Sequence, residues 1–456
     1  MSLFIALGLV VFGANFALGQ ATASATIVGT VTDSTDAVVV AAHVTATNNA
    51  TGATRTAITT STGAFRFDQI APSTYTVKVS KDGYATYAQS FELLIGQTAT
   101  VAASLKVGQT SEVVEVHAGE VQIDMAKTEI AQQISPQEVD ELPMLGRDSA
   151  NLAYLVPGVK AADSFDPTKN RSAILSVNGA SGRNVNVTVN GVDNKDNTVG
   201  GTVMQVPLEA VEEYNISTQR FSAANGRSEG AVINLITKSG GNNFHGSLFS
   251  FFRDQALNVD TKVADGAGGY TSVNSPYARQ QFGGSVGGHI LKDKLFGFFA
   301  YERQRENTSL TDSSFYVDQI SLLTDIGAVP ASVIPTPFFD TRYNGRLDYQ
   351  FNTANRSYFS YTSQGNNSNN DQSSGIGDLT SGNTTTNQLQ LANFTLDSVL
   401  SPTLVNQLTL GYQYWNNKIL ATSSLPNLNF AGGETIGTNG NVPQQSFQRK
   451  CSSVKT

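Results

Sequence analysis

The sequence predicts a mainly β fold in three parts: an N-terminal β-sandwich, a mixed α+β segment, and part of an antiparallel transmembrane β-barrel. Three observations predict it. Only 14% of the 456 residues are charged, against about 25% in ordinary soluble proteins, and the chain is instead rich in Gly, Ser, Thr, Asn and Gln. Between residues 26 and 105, short β-branched runs are punctuated by turn residues at near-regular spacing. Beyond Phe244, segments alternate residue by residue between a face suited to lipid and a face suited to water.

The composition also excludes several function classes. Hydrophobic residues make up 40% of the chain, enough to build large cores. A net charge of −8 without a basic cluster argues against nucleic acid, whose binding needs Lys and Arg to neutralise phosphate. The single cysteine, Cys451, allows no intrachain disulfide and no cysteine metal site. His43, His117, His245 and His289 lie far apart, with no ligand spacing, so no metal or cofactor is expected. The apolar run Leu3–Leu18 is too short for a comfortable membrane helix, and small residues follow it. It reads as a signal peptide over 1–19, although the usual basic start is missing; a buried core strand is the alternative. No later segment reaches 18 apolar residues, so no helical span is expected.

The first domain, residues 26–105, takes strands from IVGTVTD, HVTATN, TRTAITT, AFRFDQI, TYTVKVS and TATVAASL. In TYTVKVS, Tyr75, Val77 and Val79 point one way and Thr76, Lys78 and Ser80 the other, so an all-β sandwich follows. Gly29–Asp33, Gly63-x-Phe65-x-Phe67, Ala71-Pro72-x-x-Tyr75-x-Val77 and Gly83-Tyr84 together resemble the carboxypeptidase-regulatory-like module, of carbohydrate-binding-like fold. Despite its name, the resemblance implies an accessory domain without peptidase chemistry. One departure is Asp33-Ser34-Thr35-Asp36, where the family usually has glycine in the turn.

Residues 106–119 read as a linker. Within it Glu112, Val113, Val114, Glu115 and Val116 alternate acid and valine. Two readings stand side by side: a last strand of the sandwich, or a segment that adds as a strand to a partner's sheet. The pattern resembles the TonB box of outer-membrane receptors, which would make a TonB-type energy-transducing complex the partner.

Residues 120–241 form the mixed segment. Ile134–Pro143 opens a helix with Ser135 as N-cap, Pro136 at N1 and Glu138 at N3. Asp148–Pro157 is a second short helix. Asn190-Gly191 after NVNVTV marks a hairpin turn. Ala231–Ile236 reads as a buried strand, then Gly240–Asn243 breaks the chain before the aromatic run Phe244–Phe252. Six motifs in order resemble the plug of a TonB-dependent receptor: Leu142-Pro143-x-x-Gly146-Arg147, Leu155-x-Pro157-Gly158-Val159, Val177–Ala180, Val189–Asp193, Pro207–Glu213 and Gly226–Gly240. The Oar-like type, which carries the N-terminal sandwich, is the nearest resemblance.

Residues 242–456 read as the first part of the barrel. Tyr343, Gly345, Leu347, Tyr349 and Phe351 form one face and Asn344, Arg346, Asp348 and Gln350 the other. Leu408, Leu410, Tyr412 and Tyr414 likewise oppose Gln407, Thr409, Gly411 and Gln413. A half-buried sheet of a soluble sandwich alternates in the same way and is the alternative. Gly365–Asn383 reads as an extracellular loop. The stretch after Gly241 has room for about eight or nine strands, whereas barrels of this kind have about 22. The chain is therefore expected to be a C-terminally truncated piece that does not transport by itself.

No catalytic constellation is present. Asp193–Asn197 looks like a calcium loop, but Lys195 stands where an oxygen ligand is needed. Gly283–Gly288 lacks the helix and the Lys-Ser/Thr pair of a phosphate loop. The resemblance makes Arg147, Arg227 and Glu229 candidates for plug–barrel pairing, with Arg227→Ala expected to loosen the plug; for Arg147 an exposed, weakly contributing arginine is the alternative. It further implies an outer-membrane receptor in contact with lipid, with plug and sandwich facing the periplasm. Such a receptor would take up an unidentified small ligand, glycan or peptide. The rival reading is a secreted or surface β-rich binder of glycans or proteins.

Overall fold

The computed structural model describes residues 24–455 apart from 109–112, 118–129, 143, 145–146, 162–173, 198–199, 222–227, 258–260, 265–268, 274–275, 312–313, 373–377, 402–403 and 431–434. The expected signal peptide, Glu112 and Arg227 therefore lie outside the described residues.

The sandwich packs two sheets. One contains β1 (Ala25–Asp33), β4 (Ala64–Ile70) and β7 (Thr98–Leu105), in the order β4-β1-β7. The other contains β2 (His43–Asn48), β3 (Thr54–Ile58), β5 (Ser73–Ser80), β6 (Thr86–Leu93) and β8 (Val113–His117), in the order β3-β2-β5-β6-β8. The alternation read in TYTVKVS holds, since Tyr75, Val77 and Val79 join Ile27, Val31, Phe65 and Phe67 in one apolar core. Strand β6 escapes the sequence reading because TYAQSFEL buries Tyr87 and Ala88 together, which breaks the period of two. The glycine-free turn after β1 works through side chains. The Asp33 carboxylate accepts from the Thr35 and Ala37 amides, and Asp36 adopts a left-handed φ of 62°, which aspartate tolerates better than most residues. The linker reading of 106–119 needs correction, because β8 lies parallel to β6 as the edge strand of the sandwich. Pairing there satisfies backbone groups that a free extended segment would leave to water.

The plug follows. Helix α1 (Pro136–Glu141) carries the expected capping box: Ser135 accepts from the Glu138 amide and Glu138 from the Ser135 amide. Asp148–Pro157 gives a 3-10 helix over Ser149–Leu155. The plug sheet takes β9 (Ile130–Ile134), β12 (Val185–Val189), β13 (Val192–Asp193), β14 (Val211–Gln219) and β15 (Ala231–Thr237), in the order β13-β12-β15-β14-β9; a small pair, β10 (Val159–Ala161) and β11 (Leu175–Val177), stands beside it. Every residue of β12 and β15 is buried. Ala231, Ile233 and Leu235 of AVINLI lie in one core shared by the plug and the wall, and Asn234 on the opposite face accepts from Thr188 of β12.

The wall is one antiparallel sheet of eight consecutive long strands: β16 (His245–Asp254), β17 (Ala278–Leu291), β18 (Leu295–Asn307), β19 (Phe338–Gln350), β20 (Asn355–Asn369), β21 (Asn383–Ser401), β22 (Leu404–Ala421) and β23 (Gln444–Lys455). It is an open sheet, with β16 and β23 at its edges. Tyr343, Leu347 and Leu410 are 42%, 46% and 45% exposed on the outer face, whereas Asn344 and Gln413 are 0% and 2% exposed on the inner one. The outer ring of Tyr, Leu and Phe side chains is what a lipid-facing surface requires. Two expectations change here. The supposed loop 365–383 is shorter, because β20 runs on to Asn369; above the lipid a strand can be polar and still be paired. The aromatic run Phe244–Phe252 does not all face outward. Leu248 and Phe252 share the outer face, while Phe249 and Phe251 turn inward toward Arg147.

Candidate functional site at the seam of plug and wall

The seam has an apolar part and a polar part. Phe298, Ala300, Leu389, Leu391 and Trp415 of the wall join the plug's own core around Val187, Ile233 and Leu235. The rest of the seam consists of amides, carboxylates and guanidinium groups held at hydrogen-bonding distance.

Its densest cluster surrounds Arg147 and Arg342. Arg147 sits before the 3-10 helix with φ at 50°, and its guanidinium meets Glu209 of the plug at 2.8 Å. Its Nε lies 3.9 Å from Glu302 on β18, and its Cζ lies 4.0 Å from the centre of the Phe249 ring, close enough for cation–π attraction. Arg342 on β19 reaches Asp148 of the plug at 2.6 Å, Asp340 at 2.8 Å and Glu302 at 3.6 Å, and donates to the Arg147 carbonyl at 3.2 Å. Asp148, the N-cap of the 3-10 helix, makes no side-chain bond to that helix; its carboxylate serves Arg342 instead. Glu302 also accepts from Gln281 at 2.7 Å and from the Leu208 amide at 3.3 Å. Ser247 of β16 bonds to Glu209, so both arginines are tied to plug and wall together.

Three further contacts extend the seam. The Asn190-Gly191 turn has φ values of 49° and 79°, as the hairpin reading requires; Asn190 Nδ2 donates to Ser360 at 3.0 Å and its carbonyl accepts from Asn393 at 3.2 Å. Arg346 donates to the Thr237 carbonyl at 2.7 Å and stacks on Tyr358 at 4.2 Å. The loop resembling a calcium site is instead a docking point for β23. Lys450 Nζ meets Asp193 at 3.0 Å and the Lys195 carbonyl at 2.8 Å, while Gln448 donates to Asp196.

Of the sequence-derived candidates, Arg147 stands at the centre of the seam. Glu229 is exposed and accepts from Asn184 of the plug, with no wall contact among the described residues. Arg342, Asp340, Glu302, Asp148 and Glu209 were not singled out from sequence. Their trace was faint: charged residues at inward-facing positions of amphipathic strands, and an aspartate directly after Arg147. Gly283–Gly288 lies within β17, where the rings of Phe249 and Phe244 rest over Gly283 and Gly288. No metal-binding group is found among the described residues.

An amphipathic wall with a two-faced plug lodged against its inner surface defines an outer-membrane β-barrel protein. Residues 26–106 match the carboxypeptidase regulatory-like domain, and residues 236–337 and 329–454 match the outer membrane beta barrel domain. The chain is similar to the TonB-dependent transporter Oar of Myxococcus xanthus, with 30% identity over 371 residues. That alignment covers 76% of this chain and 34% of the relative, so the chain spans about a third of the length of the curated protein it matches. Among solved structures it is similar to the siderophore receptor PirA from Acinetobacter baumannii, at 19% identity and a TM-score of 0.48 over 72% of this chain and 44% of that one. It is also similar to the outer membrane transporter YddB from Escherichia coli, at 11% identity and a TM-score of 0.49 over 71% and 44%.

Proposed function

We propose that this chain serves a receptor that takes up a ligand across the outer membrane when an energy-coupled pull moves the plug, without making or breaking a covalent bond. The observation that carries the reading is the Arg342 cluster. A buried guanidinium is shared between Asp148 of the plug and Asp340 and Glu302 of the wall. Such a cluster is stable while complete, and its partners can pass to water when the plug moves. Eight strands by themselves enclose no channel, so uptake requires a wall that closes.

The proposed partner is a TonB-type energy-transducing complex, bound through Val113–Val116. Among the described residues β8 is the edge strand of its sheet, the position at which a partner strand would add. The cargo is a small ligand, glycan or peptide entering from the outer face, with plug and sandwich on the periplasmic side. Phe65, Phe67, Tyr75, Tyr87 and Phe91 of the sandwich are buried in its core, so none of these five is free to stack on a sugar. The rival reading, a secreted binder, does not account for the outer ring of wall aromatics.

The test uses a Cys451→Ser background with Val114→Cys, cross-linked in cells to a cysteine-bearing periplasmic domain of the energy-transducing protein. The reading predicts a cross-link, and its loss when Val113→Pro is added, because proline breaks strand addition. No cross-link at any position from 113 to 116 would contradict it.

A further inference from the structure

The Leu94–Gln97 turn joins β6 to β7 at one end of the sandwich, and it is braced from within. Gln97 accepts from the Leu94 amide through its side chain and donates to the Leu94 carbonyl from its backbone, and the Gly96 amide donates to the Ser24 carbonyl. The tip of this turn, Ile95, is 2% exposed because it is pressed against the plug. Both of its backbone polar groups are satisfied by plug side chains. The amide donates to Glu213 at 2.9 and 2.7 Å, to a carboxylate that is fully buried. The carbonyl accepts from Gln133 and, at 3.4 Å, from Asn215.

Those three side chains come from two neighbouring strands. Gln133 lies on β9, and Glu213 and Asn215 lie on β14; Gln133 and Asn215 are direct partners across the β9–β14 ladder. One residue of the sandwich therefore bridges a rung of the plug sheet through its backbone. Among the described residues β9 is that sheet's edge strand, paired with β14, and residues 118–129 separate it from β8 in the sequence. Force applied at β8 reaches β9 before any other plug strand.

We infer that the Ile95 turn is a lock on the plug: it pins β9 to β14 and holds shut the first step of plug opening. A pull on β8 both loosens the sandwich edge and loads β9, so sandwich and plug release as one event. The mechanical purpose rests on the uptake reading above, but the lock itself does not. Losing a buried hydrogen bond to a backbone amide, which leaves that amide unpaired, sets the expected effect at about a tenfold to hundredfold change in local opening.

The experiment is hydrogen exchange on the full chain in membranes, comparing the parent with Glu213→Ala, Gln133→Ala and Asn215→Ala, each of which removes a side chain that holds the Ile95 backbone. The lock predicts about tenfold or faster exchange at Ile130–Ile134 and their partners in β14 in each variant, with β5 of the sandwich and β21 of the wall unchanged. Unchanged exchange at β9 in all three would overturn it, as would a uniform rise across plug and sandwich, which marks the contact as ordinary packing. No ligand or energy source is needed. The lock can therefore fail while β8 cross-linking persists, and uptake can fail while the exchange pattern persists.

Discussion

Arg342 shows how a single residue can hold two bodies together. Its buried guanidinium touches two buried carboxylates, Asp340 and Glu302, and the partly exposed one of Asp148. Breaking such a buried set by removing one member leaves charge uncompensated, at a cost of about 3–5 kcal/mol. Arg342→Met should therefore lower the temperature at which the folded band disappears in unheated-versus-heated gel electrophoresis. Arg342→Met combined with Asp148→Asn should recover part of that loss. Glu212 offers a test by pH. Burial pushes its carboxyl above the usual range, against the opposing pull of the Lys238 and Arg346 charges. The folded state thus favours the protonated acid, and the stability this contributes is lost as pH rises through the raised value; each tenfold gain in proton affinity on folding is worth about 1.4 kcal/mol. Glu212→Gln, permanently neutral, should melt above the parent at pH 8 and together with it at pH 4. From sequence, alternation marked the face on which Arg342 and Glu302 lie. It also put Asp340 beside Arg342 on that face, two residues away, but could not bring Glu302 and Asp148, some 40 and 190 residues away along the chain, to the same guanidinium.

At the scale of elements, strands with a clean period of two were legible. His43–Asn48, Ala64–Ile70 and Thr98–Leu105 fall where the sequence places them. So does α1, whose capping box is a local signal that needs no tertiary partner. Thr86–Leu93 was not legible, because two adjacent residues are buried on it, nor was the upper end of β20, where asparagines pair above the lipid. The Val113–His117 segment could not be settled by pattern, since an edge strand and a free extended segment share the same alternation; only its pairing with β6 separates them. The Asn190-Gly191 turn carries a prediction at this scale. Gly191 has a φ of 79°, a region that costs a branched residue about 1–3 kcal/mol. Gly191→Val should lower thermal stability by that amount and speed hydrogen exchange in β12 and β13, with the sandwich strands unaffected.

Across the whole molecule, sandwich, plug and wall form a stack in which each part satisfies the next. The sandwich turn is closed by plug side chains, Asn242 after the plug donates to the Ala50 and Thr51 carbonyls of the sandwich, and Arg356 of the wall donates to the Gln69 carbonyl. Tyr343, Leu347, Phe359 and Leu410 on the outer face of the wall are exposed, and such side chains call for a solvent of another kind. That division between faces is the central claim, and lipid-borne quenching tests it most directly. In a Cys451→Ser background, a fluorophore is attached to single cysteines at 347 and 410 on the outer face and at 344 and 413 on the inner face, and the protein is reconstituted in bilayers containing brominated lipids. The account predicts strong quenching at 347 and 410 and little at 344 and 413. Equal quenching at all four sites, or stronger quenching at 344 and 413, would contradict it.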